Sequence, residues 1–175
     1  PWLVYHITGS PFFLGLVSFT SAVPMLTLTL WAGVIADRID RRRVLIATQT
    51  TMMMLAFLLA AAYYSNILQW WHILFFSVAS GIAQAFDAPA RQALVADLVP
   101  REEMMNAIAL NSAMFNGARV IGPALAGITL ALTGPGWCFI INGISFLAVI
   151  VSLFLMKMPG GNRQAATKSA LSEIA

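Results

Sequence analysis

The sequence predicts an all-α integral membrane protein, and three observations support this class. The chain of 175 residues is 59% hydrophobic, has a mean hydropathy of +0.81 and is only 10% charged, whereas soluble domains are about 25% charged. Its apolar residues come in runs of about twenty, the length that a helix needs to cross about 30 Å of hydrocarbon. No segments of about ten residues alternate in polarity, as transmembrane strands would.

The apolar runs give the order of the elements. The sequence predicts the outer end of a first helix at residues 1–7, a turn at 8–11, and helices at 12–36, 44–64, 71–99, 105–132 and 137–156. Prolines lie inside three of these helices, at Pro24, Pro89 and Pro123, and predict kinks. Residues 1–156 are expected to form a partial N-terminal transmembrane bundle, and residues 157–175 to begin a cytoplasmic linker. Because the pattern starts within a helix at Pro1, we expect a fragment of a longer protein.

The basic residues indicate the orientation of the helices. Nine of the ten lie in three inside segments, which are the turn after the second helix, the connection between the fourth and fifth helices, and the C-terminal tail: Arg38, Arg41, Arg42, Arg43, Arg91, Arg101, Lys157, Arg163 and Lys168. The other three connections carry none. Cytoplasmic loops are enriched in Lys and Arg, so these segments are placed in the cytoplasm. The same distribution explains the net charge of +3 without a nucleic-acid partner.

Several chemistries are poorly supported by the sequence. Cys138 is the only cysteine, which excludes an intrachain disulfide or a cysteine cluster. His6 and His72 are too few to complete a metal site, and we expect no metal and no cofactor. A glycine loop followed by Lys-Ser or Lys-Thr, as in nucleotide-driven pumps, is absent from the sequence. The chain is therefore not predicted to be an enzyme.

One helix carries a polar face. Residues of the fourth helix recur at spacings of three and four, which places them on one side of a 3.6-residue helix: Ser77, Ser80, Gln84, Asp87 and Arg91. Polar side chains inside the membrane usually face the bundle interior or a water-filled cavity. Asp87 and Arg91 are also an acid–base pair at i,i+4. We expect this face to line a cavity or its cytoplasmic mouth.

The fifth helix contains Arg119 at mid-depth, on one face with Ser112 and Asn116. An arginine there is costly unless it meets water, carbonyl groups or an acid. Two interpretations remain open, which are a cavity-lining charge that binds substrate or takes part in coupling, and a structural partner of an acid on another helix. With Gln84 and Asp87, Asn116 and Arg119 are predicted to face the central cavity.

The small residues of the same helix predict close packing. Ala118, Gly122 and Ala126 are spaced by four, and Pro123 and Gly127 follow them closely. Small residues at this spacing let helices approach each other in a membrane. The motif is expected either to pack only or also to seal or pivot a transport path.

Residues 33–45, between the second and third helices, contain a dense cluster of charged residues. This stretch resembles the signature of the major facilitator superfamily, roughly G-x-x-x-D-R-x-G-R-[RK]. The matching residues are Gly33, Asp37, Arg38, Arg41 and Arg42. Asp40 replaces the second glycine, and Asp tolerates a left-handed or tight-turn backbone better than most residues. The resemblance implies that Asp37 and the following arginines gate the cytoplasmic side by pairing with another half of the protein.

Two further stretches resemble motifs of this superfamily. Gly122, Pro123 and Gly127 match the antiporter motif G-x-x-x-G-P-x-x-G-G, which is associated with exporters, while Ala118 and Ala126 replace glycines. In the fourth helix, Ser77 stands where the superfamily usually has an arginine. Residues 86–92 and 97–100 are similar to the branch of the enterobactin exporter and macrolide-efflux-type permeases.

The resemblance implies a twelve-helix transporter, of which this chain is the N-terminal six-helix half without most of helix one. It implies a multi-pass protein of the bacterial inner membrane that exports a small molecule, such as a siderophore, a drug or a metabolite. The implied energy source is the proton gradient, and the implied partners are the substrate, the lipid bilayer and the C-terminal half. An importer of the same fold and a non-transporting membrane sensor or scaffold are the alternatives.

Overall fold

The computed structural model describes residues 2–156, without the side chains of residues 2, 30, 34–38 and 101. This part of the chain contains helices and one short 3₁₀ turn, and no strand. The elements are α1 (Trp2–Thr8), α2 (Pro11–Arg38), α3 (Arg41–Tyr64), α4 (Trp70–Leu98), the 3₁₀ turn Arg101–Glu103, α5 (Met104–Thr133) and α6 (Pro135–Leu155). The predicted linker at 157–175 lies outside the described residues.

The helices α2 to α6 are each long and apolar enough to cross a membrane. The predicted all-α membrane class is therefore confirmed, and the chain is a multi-pass membrane protein. Pro24, Pro89 and Pro123 all lie inside continuous helices, so none of them divides its helix in two.

The charged turn is shorter than the sequence suggested. Only Ile39 and Asp40 lie between α2 and α3, and α3 begins three residues before the predicted start. Asp40 explains the early start because it caps the helix: its Oδ1 accepts a hydrogen bond from the Arg42 amide at 3.0 Å, and its carbonyl accepts one from the Val44 amide at 3.1 Å. Asp40 has φ −58° and ψ 111°, so the left-handed backbone that would favour glycine is not used here.

The helices pack around α4. Helices α2 and α3 both lie against α4, and α6 packs against α3. A buried apolar cluster joins α3, α4 and α6 through Leu45, Ala90, Leu94 and Leu153. Helix α5 lies beside α6, and none of its described residues is buried. The bundle therefore leaves α5 with most of its surface free in this part of the chain.

The closest backbone approach in the bundle joins α2 and α4. A β-carbon on Gly81 would collide with the carbonyl oxygen of Ser21 and lie 3.0 Å from its carbonyl carbon. Neither group can rotate away, because both belong to helix backbone. Gly136 and Gly143 of α6 are also tightly placed, because a β-carbon there would lie 2.6 Å from the ring of Tyr64 and 2.8 Å from the ring of Phe57, both on α3.

Replacing Gly81 with alanine is expected to destabilise the bundle by about 1–3 kcal/mol, because overpacked cores cost that much when backbone must move. The measurement is the thermal unfolding midpoint of the purified full-length protein. Gly15→Ala is the matched control, since a β-carbon at Gly15 of α2 meets no atom within 4 Å. Equal midpoints for the two variants would contradict the close approach.

Candidate functional site

The centre of the candidate site is the carboxylate of Asp87 on α4, whose side chain is 14% exposed. Its Oδ1 accepts hydrogen bonds from Thr48 Oγ1 at 2.8 Å and Gln49 Nε2 at 2.7 Å. Its Oδ2 accepts from Arg91 Nη2 at 2.7 Å and Nε at 3.2 Å. Two guanidinium nitrogens of Arg91 thus donate to the same carboxylate oxygen, and both hydrogen bonds of this i,i+4 pair are charge-assisted. All four donors converge on one carboxylate.

Thr48 and Gln49 are site residues that the sequence analysis missed. Both lie in α3 and are buried, in a helix that is otherwise mostly apolar. The signal that could have found them is their polarity, because a buried polar group in a membrane helix needs a partner. They connect α3 to the polar face of α4.

Two cavities meet at this network. The first, called here the inner cavity, has a volume of about 580 Å³ and lies between α1, α3, α4 and α6. Its polar wall is formed by the whole polar face of α4 and by one residue each from α3 and α6: Ser77, Ser80, Gln84, Asp87, Arg91, Gln49 and Asn142. The rest of its lining is mainly apolar.

The second, called here the α4–α5 cavity, has a volume of about 690 Å³. Its wall is rich in side-chain amides and also contains the charged pair: Gln84, Asp87, Arg91, Gln92, Asn111, Ser112 and Asn116. Gln84, Asp87 and Arg91 therefore stand on the walls of both cavities. Asn116, on α5, lies on the wall of the α4–α5 cavity together with these three residues.

Arg119 is placed differently from Asn116. It is exposed and is not on the wall of either cavity. Its guanidinium carbon lies 5.4 Å from the ring centroid of Phe115, which is a wall residue of the α4–α5 cavity. Arg119 thus lies at the edge of this cavity and makes a cation–π contact with its wall.

A second charge cluster lies where α3 begins and where α4 and α6 end. Arg41 at the start of α3 donates from Nη1 to the Ala93 carbonyl at 3.0 Å and forms an ion pair with Asp97, both on α4. Arg42 donates from Nη2 to the Phe154 carbonyl at 2.9 Å, near the end of α6, and lies 5.9 Å from the centroid of that residue's ring. These two arginines tie α3 to α4 and to α6.

The predicted gate residues are therefore divided by the structure. Arg41 and Arg42 have partners inside this bundle, although the sequence predicted pairing with another half of the protein. The side chains of Asp37 and Arg38 lie outside the described residues. Gly33 is half-buried, and a β-carbon there would meet no atom within 4 Å. In the described part of the chain, no three His, Cys, Asp or Glu residues gather to hold a metal ion.

Comparison with known families decides the family of this chain. The model of a family described as "transmembrane secretion effector", which belongs to the major facilitator superfamily, matches residues 1–173. The chain belongs to this family. The superfamily resemblance inferred from the charged turn and from α5 is thereby confirmed.

The relatives of this chain are named as transporters, not as enzymes. The chain is 33% identical over 154 residues to the staphyloferrin A transporter of Staphylococcus aureus, and the match covers 87% of this chain and 39% of that protein. It is 25% identical to the multidrug efflux pump Tap of Mycolicibacterium fortuitum, over 99% of this chain and 44% of the pump. An MFS-type transporter of Bacillus subtilis, YfiS, is 27% identical over 86% of the chain and 35% of its own length. The chain thus spans about two fifths of these relatives.

The antiporter-like motif of this family member lies on a free surface. Gly122 and Gly127 are exposed, and a β-carbon at either position would meet no atom within 4 Å. Pro123 is exposed beside them. The close helix contact predicted from their spacing is not made by any element within residues 2–156. Within these residues α5 contacts mainly α6, so the close packing of this motif stays a prediction.

Proposed function

We propose that the whole protein is a secondary transporter that exports a small molecule by alternating access and is driven by the proton gradient. The observation that carries this proposal is the Asp87–Arg91 pair, which is held by α3 on the walls of two cavities inside membrane-spanning helices. Ionisable residues within membrane helices mark substrate or ion pathways. No cofactor is required for transport of this kind, and the proton gradient supplies the energy.

Export is favoured over import by two independent observations. Relatives that match nearly the whole chain are named multidrug efflux pumps. In addition, Gly122, Pro123 and Gly127 match the antiporter-type motif of exporters. Because these relatives are bacterial, we assign the protein to a bacterial inner membrane.

The complete transporter would contain a second bundle. The chain covers 39% of the staphyloferrin A transporter and 44% of the Tap pump, which leaves room in such proteins for another half of similar size. In major facilitator transporters the two six-helix halves are related by an axis along the membrane normal, and substrate binds between them. The free surface of α5, which includes Gly122 and Gly127, is a suitable place for contact with that half.

Everted membrane vesicles containing the full-length protein test the direction of transport. Respiration acidifies their interior, so a proton-coupled exporter takes an added substrate inward while protons leave. The expected result is recovery of the fluorescence of a pH-sensitive acridine dye on addition of a substrate from a panel of cationic dyes and small carboxylates. Vesicles without the protein are the control.

The same assay separates the alternatives. An importer would instead release a preloaded compound from these vesicles. A membrane sensor or scaffold would move no compound, and its full-length sequence would carry a long soluble domain in place of a second helix bundle. Either result would contradict the proposed exporter.

Asp37 is proposed to gate the cytoplasmic side together with Arg38. The expected effect of Asp37→Asn is a loss of transport of at least tenfold with unchanged membrane insertion, because the substitution removes one charge and keeps the size of the side chain. Transport in vesicles and the amount of inserted protein are the two measurements. Unchanged transport would remove Asp37 from the gate.

A further inference from the structure

We propose that the α4–α5 cavity binds an anionic, oxygen-rich organic substrate, such as a hydroxylated carboxylate, and excludes lipophilic cations. This inference rests on the proposed transport function, because it assigns a substrate class to the same site. Two properties of the cavity wall support the proposal: the hydrogen-bonding capacity that its groups still have, and the sign of their charge.

The only acid on the cavity wall is already occupied. A carboxylate offers about four lone-pair positions, and Asp87 accepts four hydrogen bonds, from Thr48, Gln49 and twice from Arg91. A cationic substrate would have to displace one of these donors. The displaced group would then lose a hydrogen bond to a charged acceptor, which disfavours binding of the cation.

The aromatic route to cation binding is also occupied. Phe115 is the only aromatic residue on the wall of the α4–α5 cavity. The guanidinium of Arg119 already lies over this ring, at 5.4 Å from its centroid. A second cation over this ring would be repelled by Arg119, so neither a free carboxylate nor a ring free of a neighbouring positive charge is available to a cationic drug.

The unused groups of the wall are donors and neutral amides. Arg91 directs Nε and Nη2 to Asp87, and its side chain is still 49% exposed, which leaves Nη1 for another acceptor. Asn116 donates from Nδ2 to the Ser112 carbonyl, so its own oxygen can accept from a hydroxyl group. Gln84, Gln92 and Asn111 supply further amide groups. Such a surface suits carboxylate and hydroxyl oxygens.

The net charge decides between a neutral polar substrate and an anion. Arg91 is neutralised by Asp87, whereas no acid within the described residues forms an ion pair with Arg119. Arg119 is therefore a net positive charge at the edge of the cavity, one turn along α5 from Asn116. Such a charge favours an anionic ligand over a neutral one by Coulomb attraction.

Equilibrium binding to the purified full-length protein tests this class. The probes are radiolabelled citrate, tartrate and gluconate as oxygen-rich carboxylates, and tetraphenylphosphonium as a lipophilic cation. At least one carboxylate is expected to bind, with an affinity that falls as salt is added, and the cation is expected not to bind. Binding of the cation alone, or of no probe, would overturn the proposal.

Three variants assign the binding to Arg119. Arg119→Gln is expected to weaken carboxylate binding at least tenfold, Arg119→Lys to keep it within threefold, and Arg119→Glu to abolish it and permit binding of the phosphonium ion. If Arg119→Gln does not fold, Gln92→Glu provides the test, because Gln92 is an exposed wall residue on α4. Its added acid is expected to weaken carboxylate binding at least tenfold. Unchanged affinity in whichever variant folds would overturn the proposal.

The substrate class and the transport function fail in different ways. Proton-coupled uptake of tetraphenylphosphonium into everted vesicles, without carboxylate binding, would overturn the anionic class and leave the exporter standing. Carboxylate binding that depends on Arg119, without movement of any compound, would support the class and overturn the exporter.

Discussion

Asp87→Ala is expected to lower the stability of the full-length protein by about 2–3 kcal/mol and to abolish transport. The substitution leaves Gln49 buried without its acceptor, Thr48 with the Leu45 carbonyl as its remaining acceptor, and Arg91 without its counter-charge. Removing one partner of a fully buried ion pair costs about 3–5 kcal/mol, and the lower value is expected here because Arg91 is half exposed. The measurements are thermal or denaturant unfolding in detergent and transport in everted vesicles.

Two comparisons make this prediction specific to the network. Asp87→Ala combined with Arg91→Met removes both charges and is expected to recover part of the lost stability, while transport stays absent. Glu102→Ala, at an exposed acid in the 3₁₀ turn, is the matched control and is expected to change stability by less than about 0.5 kcal/mol. The network would not be a stabilising element if Asp87→Ala matched Glu102→Ala.

Much of the fold could be predicted because local sequence determines it. The apolar runs gave α2, α4, α5 and α6 to within two residues at each end, since length and hydropathy alone decide whether a helix can span a membrane. The same is true of the polar face of α4, because a 3.6-residue period places Gln84, Asp87 and Arg91 together. The i,i+4 spacing also predicted the Asp87–Arg91 pair, which is a contact within one helix.

Contacts between helices could not be predicted in the same way. Thr48 and Gln49 are far in sequence from Asp87, and Phe154 is far from Arg42. No local pattern brings these partners together. The role of Asp40 was missed for a different reason, since an aspartate at this position suits either a left-handed turn or a helix cap, and only the backbone angles distinguish the two. The free surface of α5 was missed because spacing indicates that a helix can pack closely, not which helix it meets.

Arg41 and Arg43 offer a comparison in which neighbouring residues of one type have different environments. The Arg41 side chain is 10% exposed and contacts the Ala93 carbonyl and Asp97, whereas the Arg43 side chain is 83% exposed and lies 3.7 Å from Asp40. Arg41→Lys is expected to lower stability by about 1–3 kcal/mol, because Nη1 makes both contacts and a lysine ammonium ends one bond short of the Nη1 position. Arg43→Lys is expected to have no measurable effect.

Variants of Arg41 and its partner Asp97 distinguish an internal clamp from a gate contact. If Arg41 acts by joining α3 to α4, Asp97→Asn should also lower stability, and the double variant Arg41→Lys/Asp97→Asn should lose less than the sum of the single changes, because both changes break one interaction. If Arg41 acts mainly through another half of the protein, the losses should add and should fall on transport with little change in the unfolding midpoint. We expect the first result, because Arg41 already has acceptors on α4 and is almost enclosed by this bundle.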